Sequence, residues 1–72
     1  MSGRFSGEKL RTARENAGMS REQLAMQTGR SARTIAEWET GRNAPRTDTV
    51  FAVASVLRVR PAELMEASDG HS

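Results

Sequence analysis

The chain contains no cysteine and no tyrosine, a single tryptophan and a single histidine, among 72 residues. Without cysteine there is no disulfide framework and no zinc finger built on thiolates, and the chain suits a reducing compartment. No apolar run approaches the ~20 residues that a membrane span needs. Residues Met1 to Arg4 run directly into a polar segment and lack the apolar stretch of a secretion signal. Acid–base and nucleophilic constellations are missing too. There is no Cys/His pair, no glycine-rich phosphate loop and no metal-ligand spacing, and a chain this short encloses little substrate volume. An enzyme is not expected, nor a cofactor, nor a metal. His71 stands alone near the C-terminus and is assigned no role.

What is abundant is arginine. Ten arginines and one lysine face nine acids, a net charge of +2. The isoelectric point of about 10.4 overstates this balance, because almost nothing titrates between neutrality and the arginines. Position therefore matters more than the total. From Arg21 to Arg46 there are five arginines (Arg21, Arg30, Arg33, Arg42, Arg46) against Glu22, Glu37 and Glu39. This is a local excess carried on side chains suited to phosphate.

Caps and glycines divide the chain into five short helical pieces with no strand-length alternation. The first runs from near Ser6 to Gly18, with Leu10, Ala13 and Ala17 on one face. Ser20-Arg21-Glu22-Gln23 reads as a capping box opening the second, which Gly29 closes. Ser31 caps the third, with Ile35 and Trp38 inward and Gly41 at its end. Pro45 marks a loop, and Thr47 is expected to cap the fourth, whose stripe is Val50, Phe51, Ala54 and Leu57. Pro61 opens a final turn or two carrying Leu64. The expected organisation is an N-terminal arm over 1–5, one domain over 6–66 and a frayed tail over 67–72. One all-α core is expected from Leu10, Ala13, Leu24, Ala25, Ile35, Trp38, Val50, Ala54, Leu57 and Leu64. Trp38 could instead be a stacking platform for bases, but its i+3 spacing from Ile35 favours the core.

The second and third pieces are joined by Thr28-Gly29-Arg30-Ser31, a turn short enough to hold the third helix proud of the body. On that third helix, Ala32, Arg33, Ala36 and Glu37 lie opposite Ile35 and Trp38 and so point outward. Arg33 is the one long cation on this face, and its fork matches guanine O6 and N7. The plainer alternative is an i, i+4 pair with Glu37. Glu37 could accept from cytosine N4, brace Arg33, or repel phosphate.

The string from Gly7-Glu8-Lys9-Leu10-Arg11 through Arg14, Gly18-Met19-Ser20, Gln23-Leu24-Ala25, Thr28-Gly29, Ser31, Thr34-Ile35, Trp38-Glu39, Gly41-Arg42 and Pro45 to Glu63-Leu64 resembles the lambda-repressor-like (Cro/repressor, XRE-type) helix-turn-helix family. The resemblance spans roughly Gly7 to Met65 and implies a compact five-helix bundle that binds double-stranded DNA and regulates transcription in the cytoplasm, at the nucleoid. It implies base contacts at Ala32, Arg33 and Glu37, with Ala36 on the same face. It implies phosphate contacts at Arg21, Ser31, Thr34, Arg42 and Asn43, and Arg30 of the local excess is grouped with them. It also implies an ion pair between Arg14 and Glu39. The usual arrangement for such folds is a homodimer on a pseudo-palindromic site, with any contact here supplied by the last two helices. Ala32 departs from the family pattern, since it offers only a methyl where glutamine is frequent. The competing expectation is an antitoxin-like or adaptor module that keeps the fold and binds protein instead; a non-specific architectural role is disfavoured by the well-marked third helix.

Overall fold

The computed structural model describes residues 3–67; the expected tail beyond Ala67, with His71, and the first two residues of the expected arm lie outside them. Four α-helices follow one another: α1 (Gly7–Asn16), α2 (Arg21–Thr28), α3 (Ala32–Thr40) and α4 (Thr47–Leu57). The piece expected as a fifth helix is a single 3-10 turn, Pro61–Leu64. Pro61 sets its start, and the Glu63 side chain accepts from the Arg60 N–H at 3.2 Å. Four residues suffice to bring Leu64 inside, so nothing drives the turn to lengthen.

Two short strands correct the expectation of a sheet-free chain. Strand β1 (Gly3–Phe5) pairs antiparallel with β2 (Met65–Ala67), Phe5 opposite Met65 and Arg4 opposite Glu66. Residues 3–5 therefore do not form a free arm. Once paired, the side chains divide between core and solvent. Phe5 and Met65 pack against the core. Arg4 and Glu66 form an exposed ion pair at 3.8 Å. Ser6 then locks the junction: its N–H donates to the Leu64 carbonyl at 2.8 Å while its hydroxyl accepts from the Lys9 N–H at 3.1 Å as the cap of α1.

The core is Leu10, Leu24, Ala25, Ile35, Trp38, Val50, Val53, Ala54, Leu57 and Leu64. Trp38 is buried in it and is not a stacking platform. Ala13 is only half-buried at its edge. On α4 the buried stripe is Val50, Val53, Ala54 and Leu57, an i, i+3, i+4, i+7 set. Phe51, one position round the helix from that stripe, is 58% exposed. The start of α4 also differs from expectation. Arg46 holds the extended cap conformation, Thr47 is the first helical residue, and the Asp48 carboxylate accepts the Thr49 N–H at 2.8 Å.

Candidate nucleic-acid interface

The local chemistry of α2 and α3 is that of two well-capped helices meeting at a tight corner. Ser20 accepts from the Gln23 N–H at 3.0 Å and Gln23 accepts from the Ser20 N–H at 2.7 Å, a complete capping box. Gly29 ends α2 at φ +71°, a left-handed conformation that a side chain would strain. The Arg30 N–H returns to the Ala25 carbonyl at 2.9 Å. Ser31 at once caps α3 by accepting the Thr34 N–H at 3.1 Å. Leu24 and Ala25 on α2 and Ile35 and Trp38 on α3 are buried, so the opposite face of α3 is turned outward.

That outward face carries the residues assigned to bases. Arg33 is 89% exposed at its side chain; Ala32, Ala36 and Glu37 are partly covered. Arg33, Ala36, Glu37, Thr40 and Arg42 line one shallow depression. Glu37 is held from two sides: Arg33 Nε lies 3.5 Å from Oε2, and Asn43 Nδ2 donates to Oε1 at 3.0 Å. The second contact was not legible in the chain, although Gly41 is the signal that permits it. In its left-handed conformation Gly41 folds the chain back, so that Arg42 N–H (2.9 Å) and Asn43 N–H (3.3 Å) both donate to the Glu37 carbonyl.

The residues assigned to phosphate divide. Ser31, Thr34, Arg42 and Asn43 flank α3 at its two ends, with the Ser31 and Thr34 hydroxyls 2.9 Å apart. Arg30 turns towards the start of α4, where Nη2 donates to the buried Thr49 hydroxyl at 3.1 Å. Arg21 is engaged elsewhere: its Nε donates to Glu39 Oε1 at 3.0 Å.

Glu39 is also the partner of Arg14. Arg14 Nε donates to Oε2 at 2.6 Å and Nη2 to Oε1 at 3.3 Å, while Nη1 donates to the Met19 carbonyl at 2.9 Å. The expected link between α1 and α3 is thus a forked, buried pair, with the Glu39 side chain only 1% exposed. The hydrogen bond to Glu39 pushes the Arg14 pKa further up, against the lowering effect of burial. No buried side-chain polar atom among the described residues lacks a partner.

Among the described residues, no cluster of His, Cys, Asp and Glu has the makings of a metal site, and no helix is long and apolar enough to cross a membrane. The Helix-turn-helix family model HTH_3 matches residues 10–64. No curated protein matches the chain by sequence. Among solved structures, the restriction-modification controller protein C.AhdI from Aeromonas hydrophila is similar with a TM-score of 0.76 and 29% identity, over 81% of this chain and 84% of that one. The P22 c2 repressor bound to synthetic operator 9T is similar with a TM-score of 0.75 and 26% identity, over 81% of this chain and 88% of that one. Co(II) HppE in complex with substrate is similar with a TM-score of 0.82 and 26% identity, over 90% of this chain but 36% of that one. The same fold therefore serves as part of a longer chain there.

Proposed function

The chain belongs to the Helix-turn-helix family HTH_3, and we propose on that footing that it regulates transcription by binding specific sequences of duplex DNA with α3 in the major groove. The observation that carries the reading is the outward face of α3. A well-exposed guanidinium, Arg33, stands on the first turn of a helix whose other face is buried, with Ser31 and Thr34 at its start and Arg42 and Asn43 at its end. That layout puts a guanine-reading fork between groups that suit the sugar-phosphate walls of a groove. Arg33, Glu37, Ala32 and Ala36 face the bases; Ser31, Thr34, Arg42 and Asn43 lie along phosphate, with Arg30 and Arg21 adding positive charge. A solved relative of the same fold is held on a synthetic operator, which supports duplex DNA as the partner.

The chain acts as a homodimer on a pseudo-palindromic site. Half-sites lie ~34–36 Å apart for such dimers, and the domain measures 37 Å along its longest axis, so copies whose long axes follow the duplex come within reach. The surface that suits a second copy is a groove of about 650 Å³ beside Phe51, lined by Phe5, Pro45, Val50, Pro61 and Met65. Phe51, 58% exposed, forms one wall of this apolar groove, and such a face can meet its own copy across a two-fold axis. Its place of work is the nucleoid, in the cytoplasm, and it carries out no reaction of its own.

Selection of bound sequences from a random duplex library tests this. A two-fold consensus is the expected result, with affinity for any duplex falling steeply as salt rises. A chain that enriches no sequence and shows no salt-dependent duplex binding is instead a protein-binding adaptor, and the reading fails.

A further inference from the structure

Glu39 and its two arginines do not balance. The carboxylate is the shared acceptor of Arg14 and Arg21, two guanidiniums on one buried carboxylate; the exposed Glu15 carboxylate reaches Arg14 only at 4.0 Å and is itself bonded to Arg11. Arg14 is the inner partner, with a side chain 10% exposed and a second bond to the Met19 carbonyl. The surplus positive charge therefore resides on Arg21, whose side chain is 41% exposed. Arg21 is the first residue of α2, directly after the Ser20 cap.

The structure assigns Glu39 a second role: it is a positioning residue that aims Arg21 at a DNA phosphate, in addition to tying α1 to α3. A guanidinium offers five N–H donors in a rigid plane. Glu39 engages Nε at 3.0 Å, which fixes the plane and leaves the four Nη donors for another acceptor. Without that bond the side chain would have to surrender its rotamer freedom on binding. With it, part of that ordering is already complete in the free protein. The carboxylate keeps this hold because it is shielded from solvent, and Arg14 cancels its charge, so it does not repel an approaching phosphate. Arg21 is placed for this by tertiary packing: Glu39 lies near the end of α3, eighteen residues on. The inference rests on the DNA-binding reading above.

Affinity for one selected duplex and one random duplex, measured against salt for wild type, Arg21→Ala, Arg21→Lys, Glu39→Gln and Arg21→Ala/Glu39→Gln, tests it. Arg21→Ala is expected to weaken both duplexes roughly tenfold and to flatten the salt slope by about 0.9. Glu39→Gln is expected to weaken both by a similar factor although it makes the chain more positive, and to add nothing in the Arg21→Ala background. Simple charge predicts the reverse, tighter binding by Glu39→Gln; that result, or losses that multiply in the double variant, would overturn the inference. Arg21→Lys keeps the charge without the fork and does not disturb the buried pair, so it decides the matter if Glu39→Gln fails to fold. It is expected to lose most of what Arg21→Ala loses, and wild-type affinity would overturn the proposal. The Arg21 Nε–H signal in NMR supplies a further check. It is expected to be protected from exchange in the free protein and to stay so on the duplex, and rapid exchange in the free protein would overturn the proposal. A wild-type chain with a protected Nε–H but no salt-dependent duplex binding would instead overturn the DNA-binding reading itself.

Discussion

Asn43 is bonded to Glu37 twice, through its backbone N–H to the Glu37 carbonyl at 3.3 Å and through Nδ2 to the carboxylate Oε1 at 3.0 Å. The loop after α3 is thereby fastened to the outward face of that helix, the face proposed to meet the bases. Glu37 is consequently occupied on one oxygen by Asn43 and approached on the other by Arg33, which favours bracing over free readout of cytosine.

Base preference is the place where this arrangement shows. Arg33→Ala is expected to lose about 1–3 kcal/mol on the best operator and much less on random duplex. Glu37 braces Arg33 only weakly, because a largely exposed i, i+4 pair contributes only about 0.5 kcal/mol or less, so Arg33 is free to leave it for a base. Asn43→Ala is expected to alter the preferred base at the pair facing Arg33 and Glu37 while leaving the salt slope intact. Competition between duplexes differing at single positions checks both. An Asn43→Ala chain that weakens all duplexes equally would make Asn43 a phosphate contact only.

The Arg14–Glu39 pair governs stability. Removing one side of a buried pair strands the other charge, but here Arg21 still touches Glu39 and relieves part of the penalty. Arg14→Ala is therefore expected to destabilise by about 2–4 kcal/mol, at or below the usual range for a broken buried pair. Denaturant titration of the Arg14/Glu39 double-mutant cycle measures it, and a coupling near zero would show that the pair contributes nothing.

Gly7 makes a separate contact between the same two helices. A Cβ there would collide with the main-chain carbonyls of Trp38 and Glu39, which have no flexible end to swing away. Gly7→Ala is expected to destabilise by about 1–3 kcal/mol through forced separation of α1 from α3, although alanine is normally the better helix residue. An unchanged or raised denaturation midpoint would show that the helices can part freely.

Phe51 tests the proposed dimer. Its side chain is mostly in solvent, so Phe51→Ser is expected to change monomer stability by only about 0.5 kcal/mol. Occupancy of the two half-sites of a selected palindrome is expected to lose its cooperativity. Gel-shift titrations that show unchanged joint occupancy would place the two-fold contact elsewhere.

Local interactions made most of this protein legible in its sequence. Ser20 with Gln23, Ser31 with Thr34, and the glycines at 29 and 41 act within one turn of chain, so their residue types announce the helix ends and the corner between α2 and α3. The outward face of α3 follows from periodicity around Ile35 and Trp38. The Arg14–Glu39 pair was expected through family resemblance alone, since no spacing rule joins residues 25 apart. What tertiary structure alone decided lies between distant segments. A three-residue strand has too few side chains to display alternation, so β1 exists only because β2 is brought beside it. Phe51 and Val53 are both apolar on α4, and which of them faces inward depends on where α2 and the 3-10 turn press against the helix. The family resemblance marks Arg21 as a phosphate contact, but nothing in the sequence joins it to Glu39. Arg21 becomes the outer partner of the buried Arg14–Glu39 pair because packing delivers a buried carboxylate to its Nε, and electrostatics between residues eighteen apart is set by that geometry and by shielding from water.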